Sequence, residues 1–320
     1  MAIQYNRYDQ EAISRLDDFL PDKIFDAHMH ISCYPFSGAS RFGIADYLQD
    51  MTPVFWGRTL RGMALATPTA ELKTEEGNRR TLSFFSEELT AHPEFVGSIM
   101  VKPKEREEEI LSHLQHPNIK GLKCYHTFAE RAHTPDADIE EYLPETALAV
   151  ANRRGMTITL HLVKDAALAD PANLKKIQQI ARNYPDLKLI LAHSARAFAS
   201  WTVMDSVCEL IPYENIFFDF SAICESPSIM RILKKIGVGR CMWGSDYNVC
   251  TLLGKAISFG SGFYWILEED IKRFSTANPL CPRHILLENL MAIREAAMLC
   301  DLSRKDVEDL FYYNADRLFQ

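Results

Sequence analysis

Eight short apolar runs alternate with helical patterns along this chain of 320 residues, and together they predict a (β/α)8 TIM barrel. The runs are rich in Ile, Leu, Val, Phe and Met, which is typical of parallel strands buried on both faces. Between residues 24 and 240 the runs recur about every 31 residues, the spacing of a barrel that distributes ~250 residues over eight units. The predicted strands are Ile24–His30, Thr59–Ala66, Phe95–Lys102, Ile119–Tyr125, Met156–Val163, Leu187–His193, Asn215–Ser221 and Arg240–Asp246.

Capping residues mark two of the helices between these strands. Asp170 is a candidate N-cap that precedes Pro171, and an apolar stripe then continues to Tyr184, which predicts a helix over this stretch. A second helical pattern covers residues 145–154 and ends at Gly155, a residue that readily terminates a helix.

Other segments are less regular. A charged stretch over 105–116 predicts a helix whose charged face is exposed to solvent and whose apolar face is directed inward. The segment Ile31–Arg58 contains several Gly and Pro residues, and we expect a loop there with one short helix at Ala45–Met51. Val249–Pro282 is a second long segment. Both follow predicted strands, so we expect them to form much of a pocket wall.

The C-terminal part is expected to be helical. Ser303 and Asp306 form a capping-box pattern, which predicts that the last helix begins there. The expected organisation is a single domain over residues 1–320. Its strands lie between about residues 24 and 246, and a helical extension covers 263–320.

The composition excludes several classes of protein. The chain has 35 Lys and Arg against 43 Asp and Glu, and the resulting net charge of −8 argues against a general nucleic-acid binder. No window has the ~18 consecutive apolar residues of a membrane helix, and the N-terminus lacks a signal-peptide pattern. None of the eight cysteines lies in a C-x-x-C pair, which indicates reduced thiols in a cytoplasmic protein.

Two histidines near the end of the first predicted strand are the sharpest functional signal. His28 and His30 are two residues apart, so in a strand they point to the same face. They lie at the carboxyl end of the strand, which is the active-site end of a parallel barrel. Both imidazoles can therefore reach one metal ion.

Three more polar residues lie at the same ends of other predicted strands. His161 is in the fifth run, His193 ends the sixth and Asp246 ends the eighth. Burying four histidines and a carboxylate without partners would cost several kcal/mol. A metal ion uses their lone pairs and removes this cost, so the set predicts a metal site.

The ordered motifs resemble those of the amidohydrolase superfamily, and most closely its amidohydrolase-related branch. They are DAHMH at residues 26–30, GLKCY at 121–125, HL at 161–162, AHS at 192–194, GSDY at 244–247 and YNADRLF at 313–319. The resemblance implies a barrel with one divalent metal ion, zinc with manganese as the alternative. It implies His28, His30, His161 and Asp246 as ligands and places His193 beside the water or the substrate.

Lys123 on the fourth strand permits three interpretations. In two-metal members of the superfamily a carboxylated lysine bridges the ions here, although the resemblance favours one metal and an unmodified lysine. Lys123 otherwise contacts a substrate anion, or forms an ion pair with Asp26 or Asp219. Tyr125 at the same mouth and Arg58 beside the second strand are further candidates for substrate binding.

The resemblance implies an enzyme that hydrolyses a small ester, lactone or amide with a metal-activated water. In that reaction Asp246 accepts a proton from the water and returns it to the leaving group, while His193 hydrogen-bonds the carbonyl oxygen. The alternative is a metal-dependent decarboxylase of an aromatic or unsaturated carboxylic acid. A non-catalytic metal-binding barrel is the third hypothesis. The expected partners are a small-molecule substrate and, by family analogy, a second copy of the chain in a homodimer.

Overall fold

The computed structural model describes residues 3–36, 39–274 and 280–320, and its central feature is a barrel of eight parallel strands. The strands are β1 (Lys23–Ile31), β2 (Thr59–Ala66), β3 (Val96–Met100), β4 (Ile119–Cys124), β5 (Thr157–Leu160), β6 (Lys188–Leu191), β7 (Ile216–Asp219) and β8 (Cys241–Met242). Each strand pairs with the next one in chain order. Every predicted run overlaps a strand, although β5 and β8 are shorter than predicted, and the expected (β/α)8 barrel is confirmed.

The barrel closes where the chain after β8 returns to β1. The amide of Ala27 donates to the carbonyl of Trp243 at 3.0 Å, and the amide of Asp246 donates to the carbonyl of His28 at 2.7 Å. The first and last strands therefore lie side by side. This seam brings the two histidines of β1 next to the residues that follow β8.

Helices alternate with the strands. They are α1 (Arg7–Leu16), α2 (Ile44–Met51), α3 (Glu75–Ala91), α4 (Glu107–His113), α5 (Glu145–Arg154), α6 (Pro171–Asn183), α7 (His193–Arg196), α8 (Trp201–Met204), α9 (Ser226–Ile236), α10 (Glu268–Phe274), α11 (Ile285–Leu299), α12 (Arg304–Glu308) and α13 (Asn314–Leu318). Helix α5 has the predicted bounds and ends at Gly155, whose φ of 60° is left-handed. Asp170 caps α6 as predicted, because its side chain accepts from the amide of Asn173 at 3.0 Å. None of the described helices is long and apolar enough to cross a membrane.

The long segment after β8 contains strands that were not predicted for it. It contains an antiparallel hairpin of β9 (Gly254–Phe259) and β10 (Gly262–Leu267). The two strands are joined by a two-residue turn in which Gly260 has a φ of 61°. Phe263 and Trp265 share one face of β10, and their ring centroids lie 4.6 and 5.3 Å from that of Phe198. The extension over 263–320 therefore begins with a strand rather than with a helix.

The C-terminal segment packs at the amino end of the barrel. Helix α12 begins after the predicted cap, Ser303, and a π-helical turn then joins it to α13. In that turn Phe311 stacks on Trp243, with 5.7 Å between ring centroids. The side-chain amide of Asn314 donates to the carbonyl of Cys241 at 2.8 Å. These contacts leave the carboxyl end of the barrel for the candidate site.

Candidate metal centre and active site

Strand β1 carries two histidine side chains into the barrel near its carboxyl end. The Nε2 atoms of His28 and His30 are 3.4 Å apart. Oδ1 of Asp246, which follows β8, lies 3.6 Å from the first nitrogen and 3.7 Å from the second. All three side chains are buried. They form a compact His/His/Asp set that could hold a metal ion, and His28, His193 and Asp219 form a second group of this kind.

A buried carboxylate at the end of β7 sets the orientation of His28. Oδ2 of Asp219 lies 3.1 Å from Nδ1 of His28. Burial holds the pKa of His28 well below its ordinary value, so the ring is neutral and has a single proton. The hydrogen bond to the carboxylate keeps that proton on Nδ1. Nε2 is left with its lone pair directed toward His30 and Asp246.

The spacing of the three donor atoms fits a divalent ion. Donors bonded at ~2.1 Å to a tetrahedral ion lie about 3.4 Å apart, and the corresponding distances here are 3.4, 3.6 and 3.7 Å. Lone pairs of a neutral imidazole and a carboxylate repel each other in a buried site unless a cation lies between them. Two histidine nitrogens and one carboxylate oxygen are also common ligands of zinc. The residues present therefore fit the metal that the sequence predicts.

His161 follows β5 on the same side of the barrel but lies outside this compact set of donors. Its ring centroid is 5.3 Å from that of His193 and 4.4 Å from that of Tyr125. Its Nδ1 atom is buried and has no hydrogen-bond partner among the described residues. The structure thus brings an unpaired nitrogen close to the set, and the role of His161 as a metal ligand stays a prediction.

A hydrogen-bond network assigns the proton of His193 to Nδ1. This atom lies 3.1 Å from the carbonyl oxygen of Ser221 and 2.9 Å from its hydroxyl oxygen. The hydroxyl donates its own proton to Asp219, so both groups facing Nδ1 are acceptors. Burial lowers the pKa of His193 to about 3. The ring is therefore neutral near pH 7, and its Nε2 atom carries a lone pair.

Comparison with known proteins assigns the chain to a family. The family model described as Amidohydrolase matches residues 25–320, which is nearly the whole chain. The chain belongs to the amidohydrolase family. The resemblance that the sequence motifs indicate is thereby confirmed.

The proteins similar to this amidohydrolase include hydrolases and decarboxylases. L-fucono-1,5-lactonase from Burkholderia ambifaria is 23% identical over an alignment of 243 residues, and the match covers 71% of this chain and 78% of the lactonase. A zinc-bound amidohydrolase from Burkholderia multivorans has a TM-score of 0.60 at 14% identity and covers 92% of this chain and 98% of its own. 5-Carboxyvanillate decarboxylase from Sphingomonas paucimobilis has a TM-score of 0.58 at 12% identity, and the match covers 93% of this chain and 99% of the decarboxylase. The two structural likenesses show a shared fold.

A cavity of about 280 Å³, here called the mouth cavity, opens beside the donor set of this amidohydrolase. Its lining residues are His30, Phe36, Pro68, Tyr125, His126, Pro135, His161, Val163, His193, Arg196, Phe198, Asp246, Val249, Phe263 and Trp265. Phe36 and Val249 come from the two long segments that we expected to wall the pocket. Tyr125, a predicted substrate contact, also lines the cavity. Of the other twelve lining residues, six are apolar and six are histidine, arginine or aspartate. An apolar wall with a few polar groups suits a small organic molecule.

Lys123 is fully buried and does not line this cavity. Its Nζ atom has no hydrogen-bond partner among the described residues and lies 5.9 Å from the ring centroid of Tyr125. No described carboxylate oxygen comes within ion-pair distance of it, so neither Asp26 nor Asp219 forms the direct ion pair considered above. Burial lowers the pKa of Lys123, while the negative charges of Asp219 and Asp246 oppose this shift. Substrate binding by Lys123 stays a prediction.

The structure corrects the expectation for Arg58. This residue precedes β2 and therefore lies at the amino end of the barrel, opposite the donor set. Its guanidinium donates to the backbone carbonyl of Asp17 at 2.6 Å and to the carboxylate of the same residue at 2.9 Å. Arg61 is similarly engaged with Asp316 at 2.6 Å. Neither arginine lines the mouth cavity, so both have a structural role.

Sequence reasoning missed three contributors to the site. The sequence predicts Asp219 as a partner of Lys123 but does not reveal that it orients two histidines. Arg196 and Phe198 lie outside the motifs that predict the site. A usable signal existed for Arg196, because it follows the sixth strand three residues after His193 and so belongs to the active-site end of the barrel.

Proposed function

We propose that this protein is a metal-dependent hydrolase of a small ester, lactone or amide. The observation that carries this proposal is the His/His/Asp set, whose Asp246 also lines the mouth cavity. One divalent ion, zinc with manganese as the alternative, would be held by His28, His30 and Asp246, with His161 as a further ligand. When bound, such an ion polarises a substrate carbonyl and lowers the pKa of water. The similarity to a lactonase supports the hydrolytic assignment.

Asp246 is the proposed general base. In the metal-free protein, burial raises the pKa of its carboxyl group to about 7, while the positive charge of Lys123 opposes the shift. A bound cation would keep the carboxyl group ionised near pH 7. In that form it accepts a proton from the attacking water and releases it again in the same cycle. We assign the second transfer, to the leaving oxygen or nitrogen, to Asp246 as well. The bond to the leaving group then breaks with its electron pair remaining on that atom.

His193 is proposed to orient the attacking water. With its proton on Nδ1, the neutral ring presents the lone pair of Nε2 and accepts a hydrogen bond. This role differs from the hydrogen-bond donation to the carbonyl oxygen that the sequence led us to expect. Donation would require the protonated ring, which burial disfavours. The network through Ser221 and Asp219 is therefore what selects acceptance.

A decarboxylase of an aromatic or unsaturated acid is the second candidate. The observation that favours it is the aromatic wall formed by Tyr125, Phe198, Phe263 and Trp265. In this reaction the bond between the substrate carbon and the carboxylate breaks, the electron pair stays on the carbon, and a protonated Asp246 supplies the proton. Carbon dioxide leaves as the product.

The deciding experiment compares two panels of substrates on the zinc-loaded enzyme. Acid release from lactones and esters is followed with a pH indicator, and carbon dioxide release from aromatic acids is followed in parallel. Asp246→Asn should lower the rate by about 10²–10⁴-fold, because it keeps the size of the side chain and removes the base. Asp170→Asn is the matched control, since Asn caps a helix as well as Asp does.

Three outcomes would contradict this proposal. Full activity of the enzyme after chelation would exclude the metal, and full activity of Asp246→Asn would exclude the assigned base. Carbon dioxide release with no hydrolysis of any lactone, ester or amide would replace the first candidate with the second.

Further features of the enzyme are proposed from the sequence. We propose that it acts in the cytoplasm as one domain per chain, in a homodimer, without nucleic-acid partners. Light scattering of the purified protein measures the mass in solution, and a mass of about 37 kDa, that of one 36.6 kDa chain, would exclude the homodimer.

A further inference from the structure

Arg196 places a cation in the wall of the mouth cavity. It ends the short turn α7, which begins at His193, and both residues line the cavity together with Asp246. Among the described residues that line this cavity, Arg196 is the one lysine or arginine. The cavity therefore offers a substrate one fixed positive charge from the chain itself.

The guanidinium of Arg196 is held in place but is not neutralised. Nη1 donates to the carbonyl of Lys164 at 2.9 Å, and the group stacks on Phe263 with 5.0 Å to the ring centroid. No carboxylate oxygen of the described residues lies within ion-pair distance. Burial lowers the pKa of Arg196, and the negative charge of Asp165, which lines a neighbouring cavity together with Arg196, opposes this shift. Most of the five N–H donors of the guanidinium therefore lack an acceptor in the part of the chain that the structure describes.

The turn that carries Arg196 is built in an unfavourable conformation. The four residues from His193 to Arg196 have φ angles of 50°, 49°, 63° and 62°, which is the left-handed region. Such a run of non-glycine residues costs free energy and persists only where surrounding contacts impose it. Here Asp219 imposes it, because its carboxylate accepts from the amide of His193 and its carbonyl accepts from the hydroxyl of Ser194 at 2.8 Å. One turn thus positions both a candidate catalytic histidine and the cation.

We infer that Arg196 binds a carboxylate, or an oxyanion of similar shape, on the substrate. The apolar part of that substrate packs against Phe198, Phe263 and Trp265, which line the same cavity. The planar fork of a guanidinium matches a carboxylate, and a stacked arginine loses little freedom when it binds one. That the occupant is a substrate rests on the function proposed above, whereas binding of the anion does not.

Calorimetric titration of the zinc-loaded enzyme with benzoate and with benzamide tests this inference. The two probes share ring and shape but differ in charge. We expect benzoate to bind more tightly than benzamide. Arg196→Gln should weaken benzoate binding by at least about tenfold and benzamide binding by less than about twofold. Arg196→Lys should retain part of the preference. Arg41→Gln is the matched control, because Arg41 also stacks on a ring, that of Phe84, but does not line the mouth cavity.

Several results would overturn the inference. One is a wild-type enzyme that does not prefer benzoate, and another is an Arg196→Gln variant that keeps the preference, as expected if the carboxylate binds only the metal. Equal losses for both probes would show that Arg196 only packs the wall. Loss of the preference in Arg196→Gln, with no turnover of any ester, lactone or acid by the wild type, would reject the proposed function and leave this inference intact.

Discussion

Asp219 makes hydrogen bonds that reach both sides of the candidate site. Its Oδ2 atom faces Nδ1 of His28 at 3.1 Å, and its Oδ1 atom accepts from the amide of His193 at 3.0 Å. One buried carboxylate therefore sets the proton position of a proposed ligand and the backbone of a proposed catalytic residue. Partners of this kind raise metal affinity because they hold the ligand ring in its productive orientation.

Replacing this carboxylate by an amide should weaken metal binding. In Asp219→Asn an N–H group can face Nδ1 of His28, and that ring must then carry its proton on Nε2, where it blocks the metal. We expect the affinity for zinc to fall by about 10–100-fold. Competition with a chromophoric chelator measures this affinity, with Asp170→Asn as the control. A value within about twofold of the wild type would show that Asp219 does not orient the ligand.

The affinity for the metal should also depend on pH through Asp246. Burial lowers the pKa of His28 and His30, so neither ring carries a proton that the metal must displace near neutral pH. Burial raises the pKa of Asp246 to about 7, so below that pH the metal must displace one proton. Affinity should fall about tenfold per unit as the pH decreases below about 7 and be constant above it. Competition with a chelator across this pH range measures how steeply the metal affinity changes with pH. A change of about a hundredfold per pH unit would mean that two protons are displaced and that a histidine titrates as well.

At the scale of elements, the β9–β10 hairpin completes the pocket. It supplies Phe263 and Trp265 to the mouth cavity, where they pack with Phe198, and it gives Arg196 the ring on which it stacks. Alternate residues of β10 point away from the cavity. Tyr264 is one of them and is 71% exposed.

This alternation provides a matched pair of variants. Phe263→Ala removes the wall and the stacking partner of Arg196, so we expect the affinities for benzoate and benzamide to fall together, by roughly five- to tenfold. Tyr264→Ala alters the adjacent, exposed position and should change neither. Calorimetry on both variants checks the prediction. If Tyr264→Ala had the larger effect, the hairpin would be oriented differently from the structure.

At the scale of the whole molecule, the donor set bridges the seam of the barrel. His28 and His30 belong to the first strand, and Asp246 follows the last. The seam is also held by Asp26, whose carboxylate accepts from the amide of Ser245 at 2.9 Å. An ion bound across this seam connects β1 to the segment that follows β8.

Metal removal should therefore lower the stability of the fold. A ligand that binds only the native state at 100 times its dissociation constant adds ~2.7 kcal/mol to the free energy of unfolding. We expect chelation to lower the unfolding temperature by several degrees, and Asp246→Asn to reduce this difference. Thermal unfolding with and without added zinc measures it. An identical unfolding temperature in both conditions would contradict a metal at the seam.

Parts of this picture were predictable because they depend on short stretches of chain. The eight apolar runs identified every barrel strand, and Asp170 and Gly155 marked the ends of helices correctly. The prediction for Arg58 was wrong, although its place before β2 already assigns it to the amino end. The β9–β10 hairpin was not predicted. Gly260 is a turn signal, but the residues on either side of it do not alternate between polar and apolar as an exposed strand usually does.

By itself, the sequence determined the barrel and the order in which His28, His30 and Asp246 follow its strands, because apolar runs and side-chain alternation are local properties. Tertiary structure decided which groups meet across the barrel. It alone joined Asp219 to two histidines, assigned the proton of His193 to Nδ1, and placed Arg196 in the cavity wall with no carboxylate partner among the described residues. Proton positions and effective charges depend on burial and on partners distant in the chain, so they emerge only when the barrel closes.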